Sequence, residues 1–227
     1  MTAAPPARAL VIMAKAARVG HVKTRLASVL SADAVVALYR CLIEDTVALV
    51  RTLPATRVAV VCPAGEVSAL AAWLEVEVVA QDGNGLAAGL ASAFRTFLGG
   101  GCGRVVAFNG DSPHLPRSTL ERAFELLDTH DLVVGPTVDG GYYLVGATAP
   151  HPDLFDGRRM GTGTALDSLL ERAHDLGLSV ASTDPWYDVD EAQDLRRLAD
   201  ELRIAPALAP RTAAWLATWD DERAGHE

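Results

Sequence analysis

The sequence has little cysteine, and what it has is scattered. Cys41, Cys62 and Cys102 stand far apart, with no CxxC pair and no Cys/His cluster. That spacing argues against a structural zinc site, and the odd count argues against a disulfide framework. Buried, reduced thiols in a reducing compartment are expected instead. No apolar run approaches the ~20 residues that span a bilayer. The opening Met1-Thr2-Ala3-Ala4-Pro5-Pro6 has neither the charged region nor the apolar stretch of a signal peptide. A cytoplasmic protein without membrane contact is expected. There is also no Walker A sequence, and no GxGxxG follows a strand, so the usual P-loop and Rossmann readings fail. Internal repeats, low-complexity tracts and domain linkers are lacking too. One further absence is local: Met1 to Ala32 holds no Asp or Glu, although the whole chain carries a net charge of −9.

What remains is an ordinary globular composition. The chain has 227 residues, of which 50% are hydrophobic and 22% charged. That length can bury a core of its own, and a single domain over 1–227 with a helical tail from about 206 is expected. The acidic balance, with the one basic cluster short and not interleaved with aromatics, argues against a nucleic-acid partner.

Apolar runs and amphipathic segments alternate along the chain. Strands are expected at Ala9–Ala14, Arg57–Cys62, Val76–Ala80, Arg104–Phe108 and Asp131–Gly135. Helices are expected at Asp33–Leu53, from Pro63 to near Trp73, and at Leu86–Leu98 and Arg117–Leu127. Fully apolar strands separated by helices imply an α/β fold, a mostly parallel sheet covered by helices. After Asp139 the rhythm breaks. Tyr142–Val145 reads as a strand of different direction, which makes the sheet mixed. Helices follow at Thr164–Leu176 and Glu191–Leu202, and Trp215 and Trp219, four apart, predict a terminal helix packed on the body. Edge strands of such a sheet can pair, so a homodimer is possible.

Five segments could carry chemistry. The first is the acid-free loop Lys15 to Leu26, which follows the first strand, where open α/β sheets bind ligands. Lys15 and Lys23 offer point charges to phosphate, Arg25 a planar fork of donors, and Gly20 a close backbone approach. The second is Asn109-Gly110-Asp111-Ser112-Pro113, where Asp111 ends a buried strand and could ligate magnesium or organise a turn. The third is Asp139-Gly140-Gly141-Tyr142, either a plain turn or one wall of a substrate cleft. The fourth is Asp188-Val189-Asp190. Residues two apart in an extended segment face the same way, and two like charges there favour a cation. Asp190 could instead cap the next helix. The fifth is the bend Gln81-Asp82-Gly83-Asn84-Gly85-Leu86, which could admit a flat ring or be a simple turn.

In order along the chain stand Lys15…Gly20-x-Val22-Lys23-Thr24-Arg25-Leu26, Gly110-Asp111-Ser112-Pro113-x-Leu115-Pro116, Gly135-Pro136-x-x-Asp139-Gly140-Gly141-Tyr142-Tyr143-Leu144 and Asp188-Val189-Asp190. Together they resemble the DUF2064 family, described as glycosyltransferase A-like and related to the 2-phospho-lactate guanylyltransferases of coenzyme F420 synthesis. The resemblance runs from about Leu10 to Leu198. It implies a three-layer α/β/α nucleotide-diphospho-sugar transferase fold, with nucleotide over the N-terminal half and acceptor over the other. Carried over, Asp111 and Asp190 match the metal ligands, with Asp188 beside them, for Mg2+ or Mn2+. Lys15, Gly20, Lys23 and Arg25 match the triphosphate loop, and Gln81, Gly83, Gly85 and Leu86 the base-contacting bend. Asp139, Gly140, Gly141, Tyr142 and Thr162 fall on the substrate side. Two segments depart from the family pattern: Asn84-Gly85-Leu86-Ala87-Ala88 replaces an acidic stretch, and Met160-Gly161-Thr162 replaces a Trp-Gly-Thr.

Two reactions fit that resemblance. A phosphorylated substrate could attack the α-phosphorus of a nucleoside triphosphate, releasing pyrophosphate with no general base. Alternatively, a nucleotide sugar could pass its sugar to an acceptor hydroxyl, with Asp139 as candidate base. The dense Lys/Arg loop favours the first, with Lys23, Arg25 and Asp111 as its catalytic groups. A third reading, a non-catalytic nucleotide-binding protein, requires that Asp111, Asp190, Lys23 and Arg25 fail to converge.

Overall fold

The structure, a computed structural model, describes residues 8–54, 56–155 and 157–224. The N-terminal segment weighed above as a signal peptide lies outside the described residues. The elements are β1 (Arg8–Met13), α1 (Ala32–Arg51), β2 (Thr56–Cys62), α2 (Val67–Ala71), β3 (Glu77–Ala80), α3 (Gly85–Gly99), β4 (Arg104–Asn109) and α4 (Arg117–Leu126). They continue with β5 (Leu132–Pro136), β6 (Tyr142–Ala147), α5 (Ala165–Asp175), β7 (Val180–Ser182), α6 (Ala192–Ile204) and α7 (Pro210–Ala224).

Seven strands form one sheet in the order β3-β2-β1-β4-β6-β5-β7. β1 pairs in parallel with β2 on one side and β4 on the other. β6 runs antiparallel to β4 and β5, so the sheet is mixed where the sequence rhythm breaks. The added strand is β7, which pairs in parallel with β5 and has no counterpart in the sequence reading.

The central strands β1 and β4 are apolar and buried along their middle four residues because both faces of the sheet are covered there. Leu10 and Ile12 point to one face with Val60, Val106 and Phe108, against Ile43 and Val47 of α1 and Leu120 and Phe124 of α4. Ala9 and Val11 point to the other with Ala59, Val105 and Ala107, against Phe94 and Phe97 of α3 and Leu169 of α5. The period of two along β1 thus divides the core into two layers.

A third apolar cluster positions the site. Leu26 and Leu30, beyond the basic loop, pack with Leu38 and Leu42 of α1, with Tyr187 and Val189, and with Leu195 and Leu198 of α6. Asp45 of α1 joins α7 to this group by accepting from the Thr212 backbone N–H and hydroxyl, both at 2.8 Å. The Trp215 and Trp219 rings stack at 6.3 Å and pack against the same cluster, as the terminal-helix expectation requires. Among the described residues, no helix is long and apolar enough to cross a membrane.

Candidate functional site

Parallel pairing sets Met13 beside Asn109, so the loops leaving β1 and β4 start side by side. The β1 loop is pinned before it reaches its basic residues. The Lys15 N–H donates to the Tyr39 hydroxyl at 3.1 Å, and the Ala16 N–H to Glu66 Oε2 at 2.6 Å. The loop turns at Gly20, where the His21 N–H bonds the Arg18 carbonyl at 3.1 Å. It then reaches Lys23, whose φ of 45° is the sole positive value at a non-glycine among the described residues. Lys23 caps a 3-10 turn, Thr24–Ser28, whose Leu26 is buried in the third cluster.

The β4 loop brings Asp111 to the same place. An added Cβ at Gly110 would overlap Ile43 of α1, so the strand end lies flat on the helix. The buried Ser112 hydroxyl donates to the Tyr187 carbonyl at 2.8 Å, which ties this loop to the Asp188–Asp190 segment. There, Val189 points into the third cluster, and the alternation turns Asp188 and Asp190 the other way, into a cavity. The helix-cap alternative for Asp190 does not hold: Glu191 caps α6 in a capping box with Asp194.

One carboxylate oxygen from each of Asp111, Asp188 and Asp190 lies within 4.8 Å of the others. The Lys23 ammonium sits among them, 2.7 Å from Asp111 Oδ2 and 2.6 Å from Asp190 Oδ1, with its side chain only 4% exposed. Burial works against that charge, but the two carboxylates outweigh it and raise the Lys23 pKa above its ordinary value. Asp188 is pushed up to about 6, first by burial and then by the neighbouring Asp190 charge. Three oxygen donors of this kind suit a hard divalent cation. That the spot already holds a cationic group, the lysine ammonium, is a second sign that the donors fit one.

The cavity, about 680 Å³, runs from these groups in two directions. At one end lie Met13, Gln81, Gly85 and Leu86. The Gln81 side-chain amide donates to the carbonyls of Gly83 at 2.9 Å and Gly85 at 3.2 Å, which fixes the bend. Asn109 also lines the cavity, and its buried Oδ1 has no protein partner. At the other end lie Thr137, Asp139, Gly141, Tyr142, Met160 and Thr162. This wall is built from two loops in backbone contact: a Cβ at Gly140 would overlap the Gly163 carbonyl oxygen. Asp139 Oδ1 accepts from the Thr137 hydroxyl and from the Gly141 N–H, and the Thr137 bond above all holds its pKa below the ordinary carboxylate value.

Most residues singled out in the sequence meet here. Lys15, Lys23, Arg25, Gln81, Gly85, Leu86, Asp111, Asp139, Gly141, Tyr142, Thr162, Asp188 and Asp190 all line the cavity. Gly20, Gly83 and Gly140 are not on its wall; they shape the turns behind it. Arg25 pairs with Glu191 at 3.4 Å. Asn109 and Met160, which belong to two of the segments named in the sequence, also line the cavity, and so does Tyr39, which no motif marks. Tyr39 reads in sequence as one more buried position of α1, and nothing local marks its hydroxyl as the anchor of a distant loop.

His114 follows the Asp111 motif but does not reach the cavity. It is buried against the Trp186 and Tyr187 rings, with centroids at 5.3 and 4.7 Å, and burial pushes its pKa down to about 4.

The family described as "Uncharacterized protein conserved in bacteria (DUF2064)" matches residues 46–162, a span that holds Asp111 and the Asp139 turn. No curated protein matches the sequence. A structure from Desulfovibrio desulfuricans G20, provisionally described as a nucleotide-diphospho-sugar transferase, superposes with a TM-score of 0.87 at 28% identity, covering 96% of each chain. A nucleotidyl transferase from Methanothermobacter superposes at a TM-score of 0.62 and 20% identity over 88% of this chain and 100% of its own. The Mycobacterium tuberculosis H37Rv protein Rv0371c, in a complex with manganese, superposes at 0.51 and 20% over 87% of this chain and 100% of its own. The fold is that of the nucleotidyl and nucleotide-sugar transferases.

Proposed function

The chain belongs to the DUF2064 family, and from its site geometry we propose that it is a metal-dependent nucleotidyltransferase. It joins a nucleoside monophosphate, taken from a triphosphate, to a small phosphorylated substrate. The observation that carries this reading is the meeting of Lys15, Lys23 and Arg25 with Asp111, Asp188 and Asp190 around one cavity. A cation-rich loop beside a carboxylate cluster suits a ligand of three phosphates, of which the last two must leave. The same convergence argues against a non-catalytic nucleotide-binding protein.

Asp111 and Asp190, with Asp188 beside them, would hold Mg2+ or Mn2+. Such an ion, when bound, offsets charge on the phosphates and acts as a Lewis acid. Arg25 and Lys15 bind the β- and γ-phosphates and stabilise the departing pyrophosphate. Gln81 to Leu86 receive the base. An oxygen of the acceptor phosphate forms the new bond to the α-phosphorus. The bond from that phosphorus to the bridging oxygen breaks, and pyrophosphate leaves with the electron pair. The nucleophile is already an anion, so no residue removes a proton, and catalysis is positioning and charge neutralisation.

A second reading has its own support: the relative from Desulfovibrio desulfuricans G20 carries a nucleotide-sugar description at 28% identity. Glycosyl transfer to a hydroxyl calls for a base, and the candidate there is Asp139. Its Oδ1 is engaged by Thr137 and Gly141, and its pKa is held low, which makes it a poor base.

The test is a melting-temperature panel with Mg2+, comparing the four nucleoside triphosphates with UDP-, GDP- and dTDP-sugars. Stabilisation by one triphosphate, lost without the metal, supports nucleotidyl transfer and names the base. Stabilisation by a nucleotide sugar alone transfers the assignment to the second reading.

A further inference from the structure

Lys23 belongs to the loop read above as the triphosphate cradle, yet its ammonium is spent elsewhere. It bridges Asp111 and Asp190 at 2.7 and 2.6 Å, the two carboxylates read above as metal ligands. A divalent cation and an ammonium cannot both take those oxygens: two cations a few ångströms apart in a partly buried site repel strongly. The backbone is shaped for the bridge. Lys23 holds φ 45° and ψ 41°, a left-handed conformation that costs a non-glycine residue free energy. The bond from the Leu26 N–H to the Lys23 carbonyl at 2.9 Å locks that conformation into the turn that follows. The bridge nevertheless leaves the site short of positive charge, with one ammonium among three carboxylates.

We propose that Lys23 is a tethered counter-ion, competing with the divalent cation for Asp111 and Asp190. Metal entry frees the ammonium for the triphosphate, and a triphosphate that engages the ammonium vacates the carboxylates for metal. Metal and nucleotide therefore bind cooperatively, by the same factor in either order. This rests on the nucleotidyltransferase reading, and it assigns to one residue the coupling between the two ligands. It also implies that metal alone binds weakly, because its affinity is reduced by the fraction of molecules in which Lys23 has let go.

The experiment is a titration with Mn2+ alone, read by the electron paramagnetic resonance of the free ion. It compares the wild type with Lys23→Met, Lys15→Met and Asp111→Asn. Lys15 lines the same cavity without touching the carboxylates, so its variant removes an equal charge but no competitor. Lys23→Met is expected to bind Mn2+ at least ~10-fold more tightly than wild type, and Lys15→Met within ~3-fold of it. Lys23→Gly, which suits the left-handed backbone, replaces Lys23→Met if that variant does not fold. Equal Mn2+ affinity in wild type and the Lys23 variant, with loss in Asp111→Asn, overturns the counter-ion role and leaves the metal site standing. Mn2+ binding that is unchanged in Asp111→Asn, or absent from wild type and the Lys23 variant alike, overturns both.

Discussion

The ammonium of Lys23 lies 2.7 Å from the carboxylate of Asp111, although the two stand on loops that follow different strands, β1 and β4. The pairing of those strands brings the loops together, and the third apolar cluster holds Leu26 beside them. Asp111→Asn is therefore expected to abolish metal-dependent turnover, by on the order of a hundredfold or more. The fold should survive, since Lys23 keeps Asp190 as a partner. Steady-state rates with and without Mg2+, beside a melting curve, check this; unaltered turnover would remove Asp111 from the chemistry.

Arg25 separates the two reactions. Its pair with Glu191 is long, at 3.4 Å, and both side chains are exposed, so Arg25→Ala should change stability by no more than about 0.5 kcal/mol. If Arg25 binds the leaving phosphates, the variant loses affinity for a nucleoside triphosphate by ~10-fold or more and for a nucleotide sugar by far less. Calorimetric titration with both ligands decides it. Equal losses would count against nucleotidyl transfer.

Gly140 sets the loop of Asp139 against the Gly163 loop, at the end of the cavity proposed to take the acceptor. Its φ is 84°, and a Cβ would overlap the Gly163 carbonyl oxygen. Gly140→Ala should cost about 2–3 kcal/mol in urea unfolding. Because the two loops must part, turnover should fall while triphosphate affinity holds. A variant as stable and active as wild type would show that the Gly140–Gly163 contact is dispensable.

His114 predicts an acid sensitivity. Burial lowers its pKa from 6.5 to about 4, with the Glu201 charge opposing that shift and the Arg197 charge adding to it. In this window the unfolded chain takes up a proton that the folded chain refuses. Stability is thus fully present above pH 6.5 and is lost as pH falls towards 4, by about 3 kcal/mol. His114→Phe should flatten that part of the stability–pH curve in denaturant titrations. Parallel curves would mean that His114 is protonated in the folded protein too.

How much of this could be read in the sequence depends on where each residue's partner lies. β1 was legible because Ala9 to Ile12 are apolar on both faces, as a covered parallel strand must be. The reversal at β6 was legible from the Asp-Gly-Gly turn before it. β7 was not, because Val180-Ala181-Ser182 is only half-buried, and its pairing with β5 alone makes it a strand. The two-residue spacing of Asp188 and Asp190 correctly placed both on one side, with Val189 as the buried pivot. The capping of α6 by Glu191 was missed, since Asp190, Glu191 and Asp194 offer competing caps that only the backbone distinguishes. The Lys23 bridge was out of reach: it joins loops from opposite ends of the chain, and composition marks the basic loop as a phosphate site whichever group Lys23 meets first.

The most direct test is a crystal grown with Mn2+ and the triphosphate that stabilises the protein, measured at the manganese absorption edge. An anomalous peak within coordination distance of Asp111 and Asp190 is expected, with the Lys23 ammonium turned from those carboxylates onto phosphate oxygens. A peak elsewhere, or Lys23 still bridging Asp111 and Asp190 beside bound nucleotide, would contradict the account.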